Sequence, residues 1–541
     1  MIMVNKGEVE MIKNILQSWK SQWPTIHSTK PLAIDEGVID QGAFNAIEVG
    51  ELFDTVNQAS TIAGQAVLYR SLTQPSASVV EIQAKQDAVK EIQENPAIRE
   101  NLERIVANAA TTENHLYVLL FGEFLGALGT ARESKQIEGY GHRQYRRGMR
   151  FVEDLTGAIY ASSNPESTYL QSIFNKINGF SKSRVHSLMI GPVYNTEKGF
   201  KTKEERKGVF TPATIFQPSV FKPLLILSLI VGVGILSQMV TYSIPGLSFS
   251  TGGISGAIFA PLLLAYFPII GSYDRDNCII PLRNEFKESE ELGDALDALG
   301  QIDELLAFIK FSESFGSDMV LPTMVESEHH SINLKQAKNP VLGMRSDGYV
   351  GNDFVLENDK LVFITGPNSG GKTAFCKTVT QIQLLAQIGC YVPAELATMS
   401  VADKIIYQAP EISHLDDGEG RFGTELKRTR DIFLATTAKS FVVLDELSEG
   451  TTFEEKMESS GNVLDGFYRK GNNTLLITHN HQLVDVFINK REGVAKQVEF
   501  VNDAPSYRLI EGISRVSHAD RVAKKIGFSK QDIDNYLADS K

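Results

Sequence analysis

The chain has 541 residues, of which 42% are hydrophobic and 22% are charged, and its formal net charge is −13. This length predicts about three or four folded domains. The acidic balance excludes a protein that is basic over its whole surface, so contact with DNA or anionic lipid requires a local basic patch. Cys278, Cys376 and Cys390 have no metal-binding or paired spacing, which argues against a disulfide framework and fits a reducing compartment.

The first 130 residues or so carry helical periodicity. The first 24 of them hold five charged residues and no apolar core, so we expect no secretory signal. Apolar spacing predicts helices over residues 9–19, 42–57, 62–72, 79–94 and 98–107. Pro24, Pro75 and Pro96 separate several of these segments. Long helices with short connections are typical of a helical bundle or lever.

The sequence becomes basic between residues 132 and 150, where tyrosines are interleaved with the cations. The candidate patch consists of four arginines, Arg143, Arg146, Arg147 and Arg150. Two interpretations stay open. The patch is either a solvated helix face or a surface that contacts the phosphates of DNA or of lipid headgroups.

An uncharged segment follows between Lys222 and Asp274. Its first apolar run, 223–244, is long enough to cross about 30 Å of hydrocarbon, and a second run covers 254–270. We therefore predict a transmembrane hairpin over 223–270, with both flanks on the cytosolic side because Lys222 and Arg275 border it. The alternative is a buried helical hairpin in a soluble core, which should show a polar stripe.

A charged amphipathic helix is predicted over 284–316, and a glycine-rich motif follows it. The apolar residues 361–364 lead into Gly366 to Thr373, which matches G-x-x-x-x-G-K-T, and a helical pattern begins near Lys372. Backbone N–H groups of such a loop point at phosphate oxygens, and the helix N-terminus adds its positive dipole end. The alternative is a glycine-rich surface turn, but the flanking strand and helix favour a phosphate loop. The predicted ATP-binding residues of the loop are Gly366, Pro367, Asn368, Ser369, Gly370, Gly371, Lys372 and Thr373.

Two further strand patterns end in polar residues. One ends in Asp445 and Glu446, and the next ends in His479. In P-loop ATPases, the Mg²⁺ shell is held by the loop hydroxyl and a strand-end acid, which predicts Thr373 and Asp445 as metal ligands. We predict Glu446 and His479 as catalytic residues that polarise the attacking water and sense the γ-phosphate. Taken singly, the acidic pair could be an ordinary strand end and the histidine a hydrogen-bonded structural residue. The loop, the Asp-Glu strand and the His strand in this order predict an ATPase with ATP and Mg²⁺ as cofactors.

These segments resemble the MutS family of DNA mismatch repair ATPases. The similar segments are Gly366-Pro-Asn-Ser-Gly-Gly-Lys-Thr373, Ile388-Gly-Cys-Tyr-Val-Pro-Ala394, Asp445-Glu-Leu-Ser-Glu-Gly-Thr-Thr452, Thr478-His479 and Tyr507-Arg-Leu-x-x-Gly-Ile-Ser-x-x-Ser-His518. The resemblance implies that Tyr349 stacks on adenine and that the chain forms a homodimer through its C-terminal segment. The helical half is similar to the family's core and lever.

The sequence departs from this family in three places. It begins at the core, so the mismatch-reading N-terminal domain has no counterpart. The uncharged segment stands where the family's lever carries a DNA clamp. The serine-threonine pair of the signature loop, which acts across the dimer, falls near Gly420-Arg421, where neither residue matches. One hypothesis is that Arg421 supplies a positive group instead.

We therefore expect an α plus α/β protein. Its predicted domains are a helical core and lever over 1–221, the transmembrane hairpin over 222–274, a returning lever helix over 275–325 and a P-loop ATPase domain with a dimerisation segment over 326–541.

The predicted function is a dimeric, membrane-anchored MutS-like ATPase in which ATP drives lever movement. The basic patch permits contact with DNA, and the resemblance suggests a link to mismatch repair. The alternative is a nucleotide-switched membrane scaffold that binds a protein partner without recognising DNA. We expect location at the inner, cytoplasmic membrane with the ATPase domain in the cytosol, or, as an alternative, in the cytoplasm.

Overall fold

The computed structural model describes residues 30–126, 139–196, 199–206, 275–316, 318–346, 348–357, 359–367, 370–410, 420–447, 452–501, 504–515 and 526–539. The chain divides into two compact units, each discontinuous in sequence. The first unit contains Met1–His27, Ala59–Val67 and Asn95–Asp303, and the second contains Ser28–Gln58, Leu68–Glu94 and Glu304–Lys541. The domain boundaries predicted from the sequence stay a prediction.

Helices and strands are numbered in chain order. The helices are α1 (Gln41–Ala46), α2 (Val49–Val56), α3 (Ile62–Thr73), α4 (Val79–Glu94), α5 (Pro96–Phe121), α6 (His142–Tyr160), α7 (Thr168–Ser181), α8 (Arg184–Ile190), α9 (Ile280–Lys287), α10 (Glu290–Ser314), α11 (Pro340–Arg345), α12 (Lys372–Gln387), α13 (Gly420–Ala435), α14 (Phe453–Lys470), α15 (His481–Lys490) and α16 (Lys530–Asp539), with a π-helical turn at Arg275–Ile279. The strands are β1 (Glu123–Gly126), β2 (Gly139–Gly141), β3 (Tyr194–Thr196), β4 (Gly199–Lys201), β5 (Thr323–Val325), β6 (Ile332–Ala337), β7 (Asn352–Leu356), β8 (Leu361–Thr365), β9 (Leu396–Ser400), β10 (Ile405–Gln408), β11 (Phe441–Asp445), β12 (Asn473–Ile477), β13 (Val494–Val501) and β14 (Ala504–Glu511).

The first unit is mainly helical, and α5 and α6 pack closely within it. The Asn95 side chain caps α5 by accepting a hydrogen bond from the Ile98 N–H at 3.3 Å. Pro96 follows at the first helical position, where its missing N–H costs nothing. Gly148 of α6 lies so close to α5 that a Cβ atom there would be 2.8 Å from the His115 carbonyl oxygen.

Two buried carboxyl groups hold the N-terminus of α3 in this unit. The Asp303 Oδ2 atom accepts hydrogen bonds from the N–H groups of Ser60 (2.9 Å) and Thr61 (2.6 Å) and from the Thr61 hydroxyl (2.7 Å). The Glu113 Oε1 atom accepts another from the Ile62 N–H at 2.6 Å. Together they satisfy N–H groups that a helix start leaves without an intrahelical partner.

The second unit is built on a six-stranded sheet with the order β10-β11-β12-β8-β13-β14. Neighbouring strands from β10 to β13 are parallel, and β14 is antiparallel to β13. Every residue of β8, β11 and β12 is buried, as expected for continuous apolar strands covered on both faces. A second sheet has the order β5-β9-β6-β7.

The parallel register brings three strand ends to one edge of the six-stranded sheet. Asp445 of β11 is paired with Ile477 of β12, and Ile477 is paired with Ile364 of β8. The segments that follow these strands therefore start side by side. In open α/β sheets, the carboxyl edge of the strands is where ligands bind.

The helix predicted over 42–57 is interrupted in the structure. Helix α1 ends at Ala46, and Glu48 takes a left-handed conformation (φ 57°) before α2 begins. Two contacts within the second unit hold this break. The Lys377 Nζ atom lies 2.8 Å from Glu48 Oε1, and the Gln381 amide donates to the Ile47 carbonyl at 2.8 Å. Tertiary contacts therefore override a periodicity that runs through both helices.

The transmembrane hairpin was the wrong part of the predicted fold class. Within the ranges given above, no helix combines the length and the apolar character needed to cross a membrane. The two longest helices of the described ranges, α5 with 26 residues and α10 with 25, carry charged side chains along their length, which hydrocarbon does not tolerate. The predicted span, 223–270, lies outside the described residues. Length and lack of charge permit membrane insertion but do not require it.

Candidate functional site

The glycine-rich loop connects β8 to α12 at the carboxyl edge of the six-stranded sheet. Gly366 (φ 131°) and Gly371 (φ 85°) take backbone conformations that favour glycine. A Cβ atom on Gly370 would lie 3.1 Å from a Val498 methyl group, so the loop backbone runs close to β13. Asn368 and Ser369 of the predicted ATP-binding set lie outside the described residues, and Pro367 precedes them in the loop.

Lys372 is the first residue of α12 and is almost completely buried. Its Nζ atom donates a hydrogen bond to the Gly366 carbonyl at 2.7 Å, so the side chain folds back over the loop. Burial lowers the pKa of Lys372 from 10.5 to about 8, although Asp445 counteracts part of this effect. A phosphate bound in the loop would favour the charged form again, because an anion nearby stabilises a buried ammonium.

Thr373 and Asp445 form the predicted metal-binding pair. The Thr373 Oγ1 atom lies 3.3 Å from Asp445 Oδ2. Burial raises the pKa of Asp445, while hydrogen bonds from Thr373 and Tyr407 and the charge of Lys372 act in the opposite direction. A hydroxyl and a carboxylate are hard oxygen ligands of the kind that Mg²⁺ prefers. Among the described residues, no group of three or more His, Cys, Asp or Glu side chains could hold a metal by itself. The pair therefore fits a cation that takes its other ligands from phosphate and water.

Glu446 and His479 come together beside this pair. The His479 Nε2 atom lies 3.4 Å from Glu446 Oε1. Glu446 has a positive φ of 60°, which is strained for a residue other than glycine, and its N–H donates to the Ile477 carbonyl at 3.0 Å. Backbone strain of this kind is concentrated at functional sites. The strained turn directs the carboxylate away from β11 and toward the segment that follows β12.

Two tyrosines lie near the start of α12. The Tyr349 hydroxyl lies 3.3 Å from Thr378 Oγ1 of α12, and burial raises the pKa of this phenol. Tyr507 of β14 is half-exposed and has a φ of 60°. A Cβ atom on Gly371 would be 3.4 Å from the Tyr507 ring, so this ring borders the phosphate loop. Asn352 holds the strained residue by donating to its carbonyl at 3.0 Å.

Sequence reasoning placed Tyr507 in a dimerisation segment and missed its position at the loop. The strand pattern around it is weak, and its positive φ has no local sequence signal. The position of Tyr507 at the loop is visible only once β14 pairs with β13.

Two other predicted features are the altered signature loop and the basic patch. Gly420 begins α13, but the Arg421 side chain lies outside what the structure describes, so its role stays a hypothesis. The four arginines of the basic patch belong to the first unit, where all four are exposed on α6. The roles of all the predicted site residues stay predictions.

Comparison with known proteins identifies the family. Residues 29–308 match the family profile of MutS domain III, and residues 362–537 match that of MutS domain V. The chain belongs to the MutS family. The resemblance predicted from the sequence is confirmed, and the P-loop region lies in the domain V match.

Curated MutS-family relatives cover the chain only in part. DNA mismatch repair protein MutS of Parabacteroides distasonis is 31% identical over 249 residues, which are 43% of this chain and 28% of the relative. DNA mismatch repair protein MSH3 of Phaeosphaeria nodorum is 31% identical over 43% of this chain and 22% of its own length. MutS of Brevibacillus brevis is 32% identical over 38% of this chain and 24% of its own length. The chain therefore spans less than a third of each of these relatives.

Proposed function

We propose that this MutS-family chain is an Mg²⁺-dependent ATPase that serves DNA mismatch repair or a related DNA transaction. One observation carries the proposal. The side chains of Lys372, Thr373, Asp445, Glu446 and His479, which come from three separate strand ends, meet at one edge of the parallel sheet. The names of the curated relatives support the link to mismatch repair.

Each side chain has a role in this proposal. The loop backbone and Lys372 bind the phosphates, while Thr373 and Asp445 hold the Mg²⁺ ion, which neutralises phosphate charge when bound. Glu446 orients the attacking water and accepts its proton. His479, whose Nε2 atom lies 3.4 Å from Glu446 Oε1, senses the γ-phosphate.

ATP turnover of two variants tests the proposal. Glu446→Gln should lower kcat by a factor of about 100 or more, because the proton acceptor is lost, while ATP affinity stays within about threefold. Lys372→Ala should mainly weaken ATP binding. The matched controls are Glu458→Gln and Lys439→Ala, which change exposed residues of the same unit. Equal turnover of wild type and Glu446→Gln would refute the assigned chemistry.

We propose that the ATPase is a homodimer. Apolar side chains near the C-terminal end are largely exposed, and they are Ile526, Phe528, Tyr536 and Leu537. Exposed apolar groups of this kind mark interaction surfaces. Light scattering should give twice the chain mass, and Phe528→Asp should shift the mass toward that of one chain. A monomeric mass for wild type at micromolar concentration would exclude the dimer.

A contact with the DNA backbone is the second part of the proposal. Arg143, Arg146, Arg147 and Arg150 are spaced at i, i+3, i+4 and i+7 on α6, which places them along one exposed face. No acidic side chain among the described residues forms an ion pair with any of the four. Such a stripe matches backbone phosphates and carries no base-reading chemistry, so binding should depend on salt and not on a mismatch.

Fluorescence anisotropy with labelled duplex DNA at several salt concentrations tests this contact. Replacing Arg143 and Arg147 by glutamine should reduce the slope of log K against log salt by about 2. The matched control replaces Arg430 and Arg469, which are exposed arginines of the second unit. An unchanged slope would remove α6 from the DNA-binding surface. No binding to any duplex, with ATP turnover intact, would favour the alternative of a nucleotide-switched scaffold for a protein partner.

A further inference from the structure

Tyr407 is a completely buried phenol in the parallel sheet. It lies in β10, where it is paired with Val443 of the neighbouring strand β11, and its side chain is 1% exposed. A strand buried on both faces is usually apolar, so a hydroxyl in this position is chemically costly unless it has a partner. The Tyr407 hydroxyl finds that partner at the carboxyl end of β11.

The partner is the Asp445 carboxylate. The Tyr407 hydroxyl donates to Asp445 Oδ2 at 3.4 Å, and Thr373 Oγ1 lies 3.3 Å from the same oxygen. Two hydroxyls from two different elements, β10 and α12, therefore converge on one carboxylate oxygen. Within the described residues, no hydrogen bond is directed to the other oxygen, Oδ1. That oxygen is available to a cation or to a water in its shell.

The two hydroxyls differ in what they can do when a metal binds. Thr373 is itself a predicted ligand, so its oxygen would serve the cation. Tyr407 lies in the sheet and is not a predicted ligand, so its hydroxyl can stay bonded to the carboxylate. Carboxylates that bind metals are commonly oriented by such a hydrogen bond from a residue that does not touch the metal.

We propose that Tyr407 is a positioning residue for the metal site: its hydroxyl holds Asp445 Oδ2 and so fixes the orientation of the carboxylate that would bind the cation. The proposal rests on the proposed ATPase function and adds a residue to it. It concerns the affinity for the divalent cation and leaves the binding of the nucleotide itself unaffected.

Tyr407→Phe removes only the hydroxyl, so the ring still fills its place in the sheet. Binding of Mn²⁺ in the presence of ADP is measured by electron paramagnetic resonance, and binding of fluorescent ADP is measured separately in EDTA. The affinity for Mn²⁺ should fall about tenfold, as is usual when an outer partner of a metal ligand is lost. The affinity for ADP in EDTA should stay within about twofold, because the hydroxyl contacts the carboxylate and not the loop.

The matched control is Tyr391→Phe. Tyr391 is a buried tyrosine of the same unit whose hydroxyl donates to Gln93, and its loss should leave both affinities unchanged. If Tyr407→Phe does not fold, Tyr407→Leu, which also lacks the hydroxyl, is compared by the same two affinities with the same expected results.

Three results overturn the proposal. An unchanged Mn²⁺ affinity shows that the hydroxyl does not orient Asp445. A parallel loss of Mn²⁺ and ADP affinity shows a general structural role. Loss of Mn²⁺ affinity in the Tyr391 control shows that any buried hydroxyl has the same effect. A wild-type chain that binds no ADP at all contradicts the proposed function itself and is recognised before any variant is compared.

Discussion

The ion pair between Lys85 and Glu304 offers a sharp test of how charge is buried in the second unit. The Lys85 Nζ atom lies 2.7 Å from Glu304 Oε2, and the two side chains are 12% and 0% exposed. The ammonium also lies 5.2 Å from the centre of the Phe308 ring. The pair joins α4 to α10, so its loss should lower the free energy of unfolding.

The two partners should contribute unequally. Lys85→Met removes the cation and leaves a completely buried carboxylate, which costs about 3–5 kcal/mol. Glu304→Gln leaves a lysine whose side chain is still 12% exposed, so its ammonium keeps some contact with water. The cost should therefore be smaller, about 1–3 kcal/mol. The double variant places no charge in the interior, and its cost should be well below the sum of the two single costs.

Urea unfolding of the four proteins measures this double-mutant cycle. The matched control is the pair of Lys90 and Asp87 on the same helix α4, which is 3.4 Å apart with side chains 53% and 64% exposed. Lys90→Met should cost less than about 1 kcal/mol because water screens the pair. If Lys85→Met costs no more than Lys90→Met, or if the two single costs simply add, the reasoning from burial is wrong.

Two further predictions concern the first unit. Burial raises the pKa of Glu113 from 4.5 to about 8, so the folded state holds this proton more tightly than the unfolded chain does. The contribution of Glu113 to the free energy of unfolding should be complete below pH 4.5 and should decline as the pH rises to about 8. Urea titrations of Glu113→Gln should lack that decline. An identical pH profile of wild type and variant would contradict this account. A Cβ atom on Gly300 would lie 2.5 Å from Val67 Cγ2 and 2.6 Å from the Ala63 carbonyl oxygen, so Gly300→Ala should lower the free energy of unfolding by about 1–3 kcal/mol. Gly157→Ala, with nothing within 4 Å of the new atom, should raise it by about 0.5–1 kcal/mol, and a gain in both variants would show that the contact is not tight.

Local patterns were sufficient to predict the loop and the order of the strand ends. The pattern of a phosphate loop consists of a few glycines and a lysine close together in sequence. The single segment from Gly366 to Thr373 was therefore enough to predict the loop. The strands that end at Asp445 and before His479 are apolar over their full length, and this pattern requires a sheet covered on both faces. Helix α4 was likewise predicted over the residues that form it, because its apolar spacing is regular.

Packing over long sequence distances decided the rest. Tyr507 reaches Gly371 only because β14 pairs with β13, and Tyr407 reaches Asp445 only because β10 lies beside β11. The break at Glu48 depends on Lys377, more than three hundred residues away. Periodicity indicates which face of a segment is apolar. It does not indicate which element packs against that face or which group a polar side chain will hydrogen-bond. The membrane prediction failed for the same reason. An apolar run indicates that a segment is kept away from water, but it does not indicate whether a membrane or the protein interior surrounds it.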